Sequence, residues 1–294
     1  MCGIVGSVNL PGPSLDEAVV LRAADALHRR GPDDSGVWSD GSAALAHRRL
    51  AVLDTSAAGH QPMLSRDQRF VIVYNGEVYN FKELRSQLSG HISRWETGSD
   101  TEVLLAAYAI WGPAFLSRLR GMFALAIWDR DARSLFAARD RLGVKPLFYH
   151  AEGLRISLAS RPRAVQILRG SSSLEVDDQA LRYYLEGGFI PAPHSLDRNL
   201  RKLPPAHYLL FDEAGLQIHR YWDYREIRPE ASWTRRPESD LLDELDELVS
   251  ESVKIRMVSD VPLGTFLSGG IDSSLVTAML ARHSTGRVEA FTIG

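Results

Sequence analysis

Cysteine is almost missing from this chain: one thiol, at position 2, in 294 residues. A single cysteine excludes internal disulfides and fits a reducing cytoplasm. Long hydrophobic runs are missing too. Stretches such as Met122 to Trp128 fall far short of a membrane span. No charged-then-apolar leader precedes Cys2, so no signal peptide is expected. Nor is there a basic excess: 34 Lys and Arg against 37 Asp and Glu leave a net charge of −3. That argues against a nucleic-acid footprint, which needs clustered positive charge. No repeat or low-complexity tract is present. What remains is the ordinary make-up of a soluble globular protein, 45% hydrophobic and 24% charged, in a chain long enough for about two domains.

The one cysteine stands where removal of Met1 would make it the N-terminus. A terminal cysteine combines nucleophile and base in one residue. Its thiol (ordinarily ~8.5) can pass a proton to a free α-amine (~7.7–8.0) without a histidine. Elsewhere in a chain, a lone cysteine is usually a small buried hydrophobe. At position 2, followed by Gly3, the two readings are evenly balanced until the rest of the chain is considered.

Gly3 to Val8 is apolar and β-branched, a buried strand that would anchor Cys2. Ser14-Leu-Asp-Glu17 reads as a capping box, and the helix it opens runs through Leu27 to a stop at Gly31-Pro32. Short strands follow at Gly36–Trp38 and Ala43–His47. Phe70–Tyr74 is a further buried strand, ending on Asn75-Gly76, a dipeptide suited to tight turns. Phe81–Leu88 looks helical, and Ser99-Asp100-Thr101-Glu102 caps another helix. From Gly121 the pattern becomes hairpins: Met122–Trp128 with Leu135–Ala138, then Leu147–His150 with Leu154–Leu158. These features predict an α+β domain with antiparallel sheets.

The C-terminal part changes character. Leu241–Val258 is amphipathic with an acidic face, Leu263–Leu267 is a strand, a helix runs to about His283, and Val288–Ile293 is another strand. That order opens a parallel α/β sheet. Between its first strand and helix lies Ser268-Gly269-Gly270-Ile271-Asp272-Ser273-Ser274. Paired glycines let backbone N–H groups approach phosphate oxygens, and the helix N-terminus adds partial positive charge. The loop carries no lysine and fits neither G-x-x-x-x-G-K-[ST] nor G-x-G-x-x-G. It therefore suits a pyrophosphate cradle better than a γ-phosphate transfer loop.

Ser268–Ser274 resembles the pyrophosphate loop of ATP pyrophosphatases. Joined to a Cys-Gly-Ile start, it resembles the glutamine-hydrolysing asparagine synthetases. Further matching stretches are Arg30-Gly-Pro-Asp33, His47–Asp54, Tyr74–Asn80, Thr97–Glu102, Ala138–Tyr149 and Ser259–Gly264. The resemblance covers essentially the whole chain. It implies an α+β N-terminal-nucleophile hydrolase fold, with antiparallel sheets sandwiched by helices, followed by the beginning of an α/β ATP-pyrophosphatase domain. The domains expected are a glutaminase over 1–190, a connecting segment over 191–237 and the start of a synthetase domain over 238–294.

The resemblance also implies roles. Cys2 would attack the glutamine side-chain amide, with the Asn75 amide and the Gly76 N–H as oxyanion donors. Arg49 would hold the α-carboxylate and Asp100 the α-ammonium, with Leu50, Ala51, Val52, Leu53 and Glu77 lining the pocket. ATP would sit on Leu267, Ser268, Gly269, Gly270, Asp272, Ser273, Ser274 and Ile293, with Mg²⁺ bound through its phosphates. No protein metal site and no organic prosthetic group are expected. The activity implied is an ATP-dependent amide ligase making asparagine from aspartate, in the cytoplasm, as a homodimer where it self-associates.

Two features depart from the family pattern. Ser160 is followed by Arg161-Pro162-Arg163 rather than an acidic residue and lysine. One βαβ unit also cannot close a core, so the synthetase domain is expected to be truncated here, with the glutaminase half able to fold and act alone. Two alternatives stay open: amidation of another small carboxylic acid, and a non-catalytic regulatory protein with the same fold.

Overall fold

The computed structural model describes residues 1–13, 16–171, 173–228 and 235–293. Two compact units result, Met1–Asp223 and Tyr224–Gly294.

In the first unit, β1 (Gly3–Asn9) leads to α1 (Glu17–Asp25) and then to β2 (Asp34–Asp40) and β3 (Ala43–Arg49). The two-residue β4 (Met63–Leu64) precedes β5 (Phe70–Val78), α2 (Phe81–Gln87) and α3 (Asp100–Trp111). Strands β6 (Gly121–Asp129), β7 (Ser134–Arg139), β8 (Phe148–Glu152) and β9 (Arg155–Ala159) follow as hairpins. The unit closes with α4 (Pro162–Leu168), α5 (Asp178–Gly187), β10 (Arg201–Lys202), β11 (His207–Asp212) and β12 (Gly215–Arg220). The strands make two antiparallel six-stranded sheets, ordered β10-β8-β9-β1-β3-β2 and β12-β11-β7-β6-β5-β4.

Alternation along each strand explains the layering. Successive side chains face opposite sides of a sheet, so every second residue of each strand is available to one core. Ile4 and Val8 of β1, Leu45 of β3, Val71 and Val73 of β5, Ala124, Ala126 and Trp128 of β6, and Leu158 of β9 fill the space between the sheets. The opposite parity of the first sheet (Val5, Ala44, Ala46, Ala159) is covered by Val20, Ala23, Ala24 and Leu27 beside α1 and by Ala164, Val165 and Leu168 of α4. Outside the second sheet, Tyr108 of α3 meets Phe70, Phe115 and Phe136, with ring centroids 5.5, 5.7 and 4.8 Å apart. Helices thus flank a two-sheet core, with sheets and helices as the sequence indicated.

Several expectations are corrected. The Ser14 cap lies outside the described residues; Asp16 caps α1, its carboxylate accepting from the Ala18 N–H at 2.8 Å. That helix ends at Asp25, and a separate 3₁₀ turn, His28–Arg30, reaches Gly31. Asn75-Gly76 is not a turn: β5 runs through it, pairing Asn75 with Ala124 and Gly76 with Phe123. Strand geometry wins because a glycine there allows close approach: a Cβ on Gly76 would lie 2.3 Å from the Met122 carbonyl oxygen. The first unit also extends well past 190, because β10, β11 and β12 belong to its sheets.

In the second unit, α6 (Glu238–Lys254) precedes β13 (Gly264–Phe266), α7 (Ile271–His283) and β14 (Glu289–Phe291). β13 and β14 pair in parallel, Thr265 opposite Ala290, as expected for the opening of an α/β sheet.

Candidate active site

Parity places Cys2. Cys2 precedes β1 by one residue and shares the inward parity of Ile4, where the two sheets part. Asn75 shares the inward parity of Val71 and Val73 in the other sheet, so the two residues face each other across the gap. Both line a cavity of about 190 Å³, with Arg49, Leu50, Val52, Leu53, Gly76, Glu77 and Asp100. Ala51 does not line it; its N–H donates instead to Asp33 Oδ2 at 2.8 Å. Residues assigned no role in the site from sequence also contribute: Tyr74, Thr101 and Lys145, which lie within the matching stretches, and Gln61 and Met122, which lie outside them.

Cys2 is held from both sides. Arg30 Nε donates to the Cys2 carbonyl at 2.9 Å, which gives the Arg30–Asp33 stretch a reason to exist. The Leu50 N–H points at Cys2 Sγ at 3.4 Å. Burial pushes the thiol up, while the Leu50 N–H, the N-terminal ammonium, Arg49 and Lys145 pull it down. Lys145 is only 5% exposed. Burial lowers its ammonium, and the nearby Glu77 and Cys2 oppose that.

The open edge of β5 supplies donors. β4 pairs only Met63 with Ile72 and Leu64 with Val71, so among the described residues no strand lies beside residues 74–78 on that side. Every second N–H faces this edge. The Tyr74 N–H donates to Gln61 Oε1 at 2.7 Å, and the Val78 N–H to Asp100 Oδ2 at 2.9 Å. The Gly76 N–H lies between them on the same side, over the cavity. Beside it, Asn75 Nδ2 is buried with no hydrogen-bond partner among the described residues. Two amide donors thus converge near a thiol.

Asp100, in the first turn of α3, is 4% exposed. Ser99 caps that helix as expected, its hydroxyl accepting from the Thr101 N–H at 3.1 Å. Glu102 does not close the capping box. It turns outward, accepting from the Glu96 and Thr97 N–H groups at 2.9 and 2.8 Å. Burial raises the Asp100 carboxyl to about 6, against the Val78 N–H and the Tyr74 hydroxyl. No cation hydrogen-bonds it among the described residues. Arg49 is also buried, but Nη1 donates to the Ser56 carbonyl at 2.9 Å and Nη2 to those of Leu53 and Asp54. Its fork therefore organises the 53–56 loop as well as facing the cavity.

In the second unit, Ser268 Oγ lies 3.0 Å from Ser273 Oγ, and the Ser274 hydroxyl donates to the Gly270 carbonyl at 2.8 Å. Gly269 has φ +81°, and a Cβ there would meet nothing within 4 Å. The Leu267 N–H donates to the Phe291 carbonyl at 2.8 Å, which sets the ends of both parallel strands side by side. Ile293 is 89% exposed, and Asp272 lies in the first turn of α7. The loop and the first turn of α7 are exposed and open to a ligand.

Residues 1–222 match the family of glutamine amidotransferase domains, and residues 244–294 match the asparagine synthase family. Glutamine-hydrolyzing asparagine synthetase 3 of Bacillus subtilis is 39% identical over 287 residues, which cover 96% of this chain and 46% of that protein. Glutamine-hydrolyzing asparagine synthetase B of Escherichia coli is 32% identical, covering 98% of this chain and 46% of that one. The chain spans about half the length of these two relatives. Among solved structures, a glutamine phosphoribosylpyrophosphate amidotransferase from B. subtilis has a TM-score of 0.56 at 19% identity, over 99% of this chain and 65% of that one. The likeness is one of fold.

Proposed function

The chain belongs to the family of glutamine amidotransferase domains, and we propose that its cavity hydrolyses glutamine to glutamate and ammonia. The observation that carries this reading is the convergence of the Cys2 thiol and the unpartnered Asn75 amide in one cavity with buried Asp100. With Met1 removed, the Cys2 α-amine takes the thiol proton as Sγ attacks the side-chain amide carbon. The oxygen of the tetrahedral intermediate receives the Asn75 Nδ2 and Gly76 N–H groups. Such donors act most strongly where water is excluded and charge develops. The amine returns its proton to the leaving nitrogen, ammonia departs, and water hydrolyses the γ-glutamyl thioester. Asp100 holds the substrate ammonium, which supplies the cation its buried carboxylate otherwise lacks. Arg49 faces the α-carboxylate with the N–H groups its loop leaves open.

In the second unit, Ser268–Ser274 suits the phosphates of ATP: the glycines give room and the α7 N-terminus gives donors. Mg²⁺ would be carried by those phosphates. When bound, ATP supplies the adenylyl group that activates a carboxylate. The reading extends to a whole protein that would be a glutamine-dependent asparagine synthetase with aspartate as acceptor, and the names of the relatives support it.

Ammonia release from glutamine by the full chain, beside Cys2→Ala, tests the reading, with intact mass recording the loss of Met1. Turnover that survives Cys2→Ala would sink it.

A further inference from the structure

The oxyanion donors lie on a strand whose edge is unprotected where they need to be held still. At Tyr74 the missing neighbour is replaced by two side chains from elsewhere. Gln61 Oε1 takes the Tyr74 N–H at 2.7 Å, and His47 Nε2 meets the Tyr74 carbonyl at 2.9 Å. Both are buried, Gln61 at 5% and His47 at 1% exposure. Gln61 is braced at its far end, where Nε2 donates to Thr101 Oγ1 at 3.2 Å.

His47 continues the inward series Ala43 and Leu45 of β3, where an apolar side chain would pack at lower cost. Its Nδ1 is buried with no partner among the described residues. An imidazole left half satisfied in a core is destabilising. Its one bond, to Tyr74, is what the fold retains. His47 also stands opposite Ile4 on β1, two residues from Cys2. The Tyr74 carbonyl belongs to the same peptide unit as the Asn75 N–H. The imidazole therefore ties the nucleophile's sheet to the peptide that aims both oxyanion donors.

We propose that His47 and Gln61 are positioning residues for glutamine hydrolysis: as a two-side-chain substitute for an edge strand, they fix the Tyr74–Asn75 peptide and so aim Asn75 Nδ2 and the Gly76 N–H. The inference rests on the glutaminase reading. His47 does not line the cavity, and the Gln61 amide at its wall is spent on Tyr74 and Thr101, so removing either weakens stabilisation of the oxyanion more than substrate binding.

The test uses the full chain carrying His47→Met, Gln61→Met or His47→Gln, the last retaining an N–H near the Nε2 position. Turnover is measured with affinity for two probes: glutamate, and the aldehyde analogue of glutamine. On the aldehyde, the Cys2 Sγ–C bond forms as the C=O π bond opens, the thiol proton passes to the Cys2 α-amine and the carbonyl oxygen takes the negative charge. In the two Met variants, kcat and aldehyde affinity fall together by ~30–100-fold, the scale of a donor misplaced by about 1 Å. Glutamate affinity stays within about 3-fold, and His47→Gln recovers most of the loss. Unchanged kcat in both Met variants would overturn the inference, as would equal losses for glutamate and the aldehyde. Lack of Cys2-dependent turnover in the parent chain would overturn the glutaminase reading, and this inference with it.

Discussion

Replacing Asp100 by Asn separates what the carboxylate does for substrate from what it costs the fold. Burial raises the carboxyl from 3.8 to about 6. The shift is about 2 units, or roughly 3 kcal/mol. The folded state then holds the Asp100 proton more tightly than the unfolded chain. Stability therefore falls as pH rises from the unfolded value through about 6 and stays reduced above it. The amide of the Asp100→Asn variant has no proton to lose over this range. Its side-chain oxygen can still accept from the Tyr74 hydroxyl and the Val78 N–H, each 2.9 Å from Asp100 Oδ2 in the parent. D100N is therefore expected to gain stability over the parent between pH 4 and pH 7, by up to ~3 kcal/mol, or roughly 6–12 °C in Tm for a unit of this size. Glutamine KM should rise ~30–1000-fold, the cost of removing one partner of a buried charge pair. Thermal unfolding across pH 4–8, with parallel glutaminase assays, checks both. A stability difference that does not change with pH would refute the burial argument, and an unchanged KM would refute the role of Asp100.

Other perturbations have equally direct outcomes. Gly76→Ala places a Cβ 2.3 Å from the Met122 carbonyl oxygen. β5 must move away from β6, with kcat expected to fall ~10²-fold or more and only ~1–3 kcal/mol lost from stability; steady-state kinetics beside urea unfolding measures the two. Arg30→Gln removes the 2.9 Å bond to the Cys2 carbonyl, and about 10-fold slower thioester formation, read by rapid quench, is expected. Gly269→Ala forces an L residue toward φ +81°. ATP binding by the full chain, measured calorimetrically, should weaken ~10-fold on a strain of about 1–2 kcal/mol, while glutamine hydrolysis is unchanged.

Much of the site was legible because its parts are local. Cys2 ahead of a β-branched run, the Ser99 cap before Asp100 and the glycine loop at 268–274 all announce themselves within a few residues. Asn75 and Gly76 were legible as residues but misread as a turn, because what places them is β6, whose Ala124 and Phe123 pair with them from far along the chain. Gln61 gave no such signal, and Tyr74 and Lys145 lay in matching stretches with nothing to mark them as cavity residues. Each reaches the cavity through long-range pairing, and none carries a spacing pattern of its own. For α4 and α5 the marks were present: Pro162 in the first turn of one, Asp177 as the cap of the other and Gly188 beyond its end at φ +73°. Strands β11 and β12 escaped because proline-bearing, polar surroundings made the stretch after 190 look like a connector.

Cys2 and the Asn75–Gly76 pair, the proposed nucleophile and oxyanion donors, sit on different layers of one sandwich, so the distance between them is set by the thickness of its filling. Val73, Ala124 and Leu45 act as spacers in that sense: a methyl group added or removed there widens or narrows the reaction gap without touching a polar atom. Catalytic rate thus becomes a gauge of how the greasy interior is filled. Evolution can tune turnover by swapping one aliphatic side chain for another, far from any group that handles a proton.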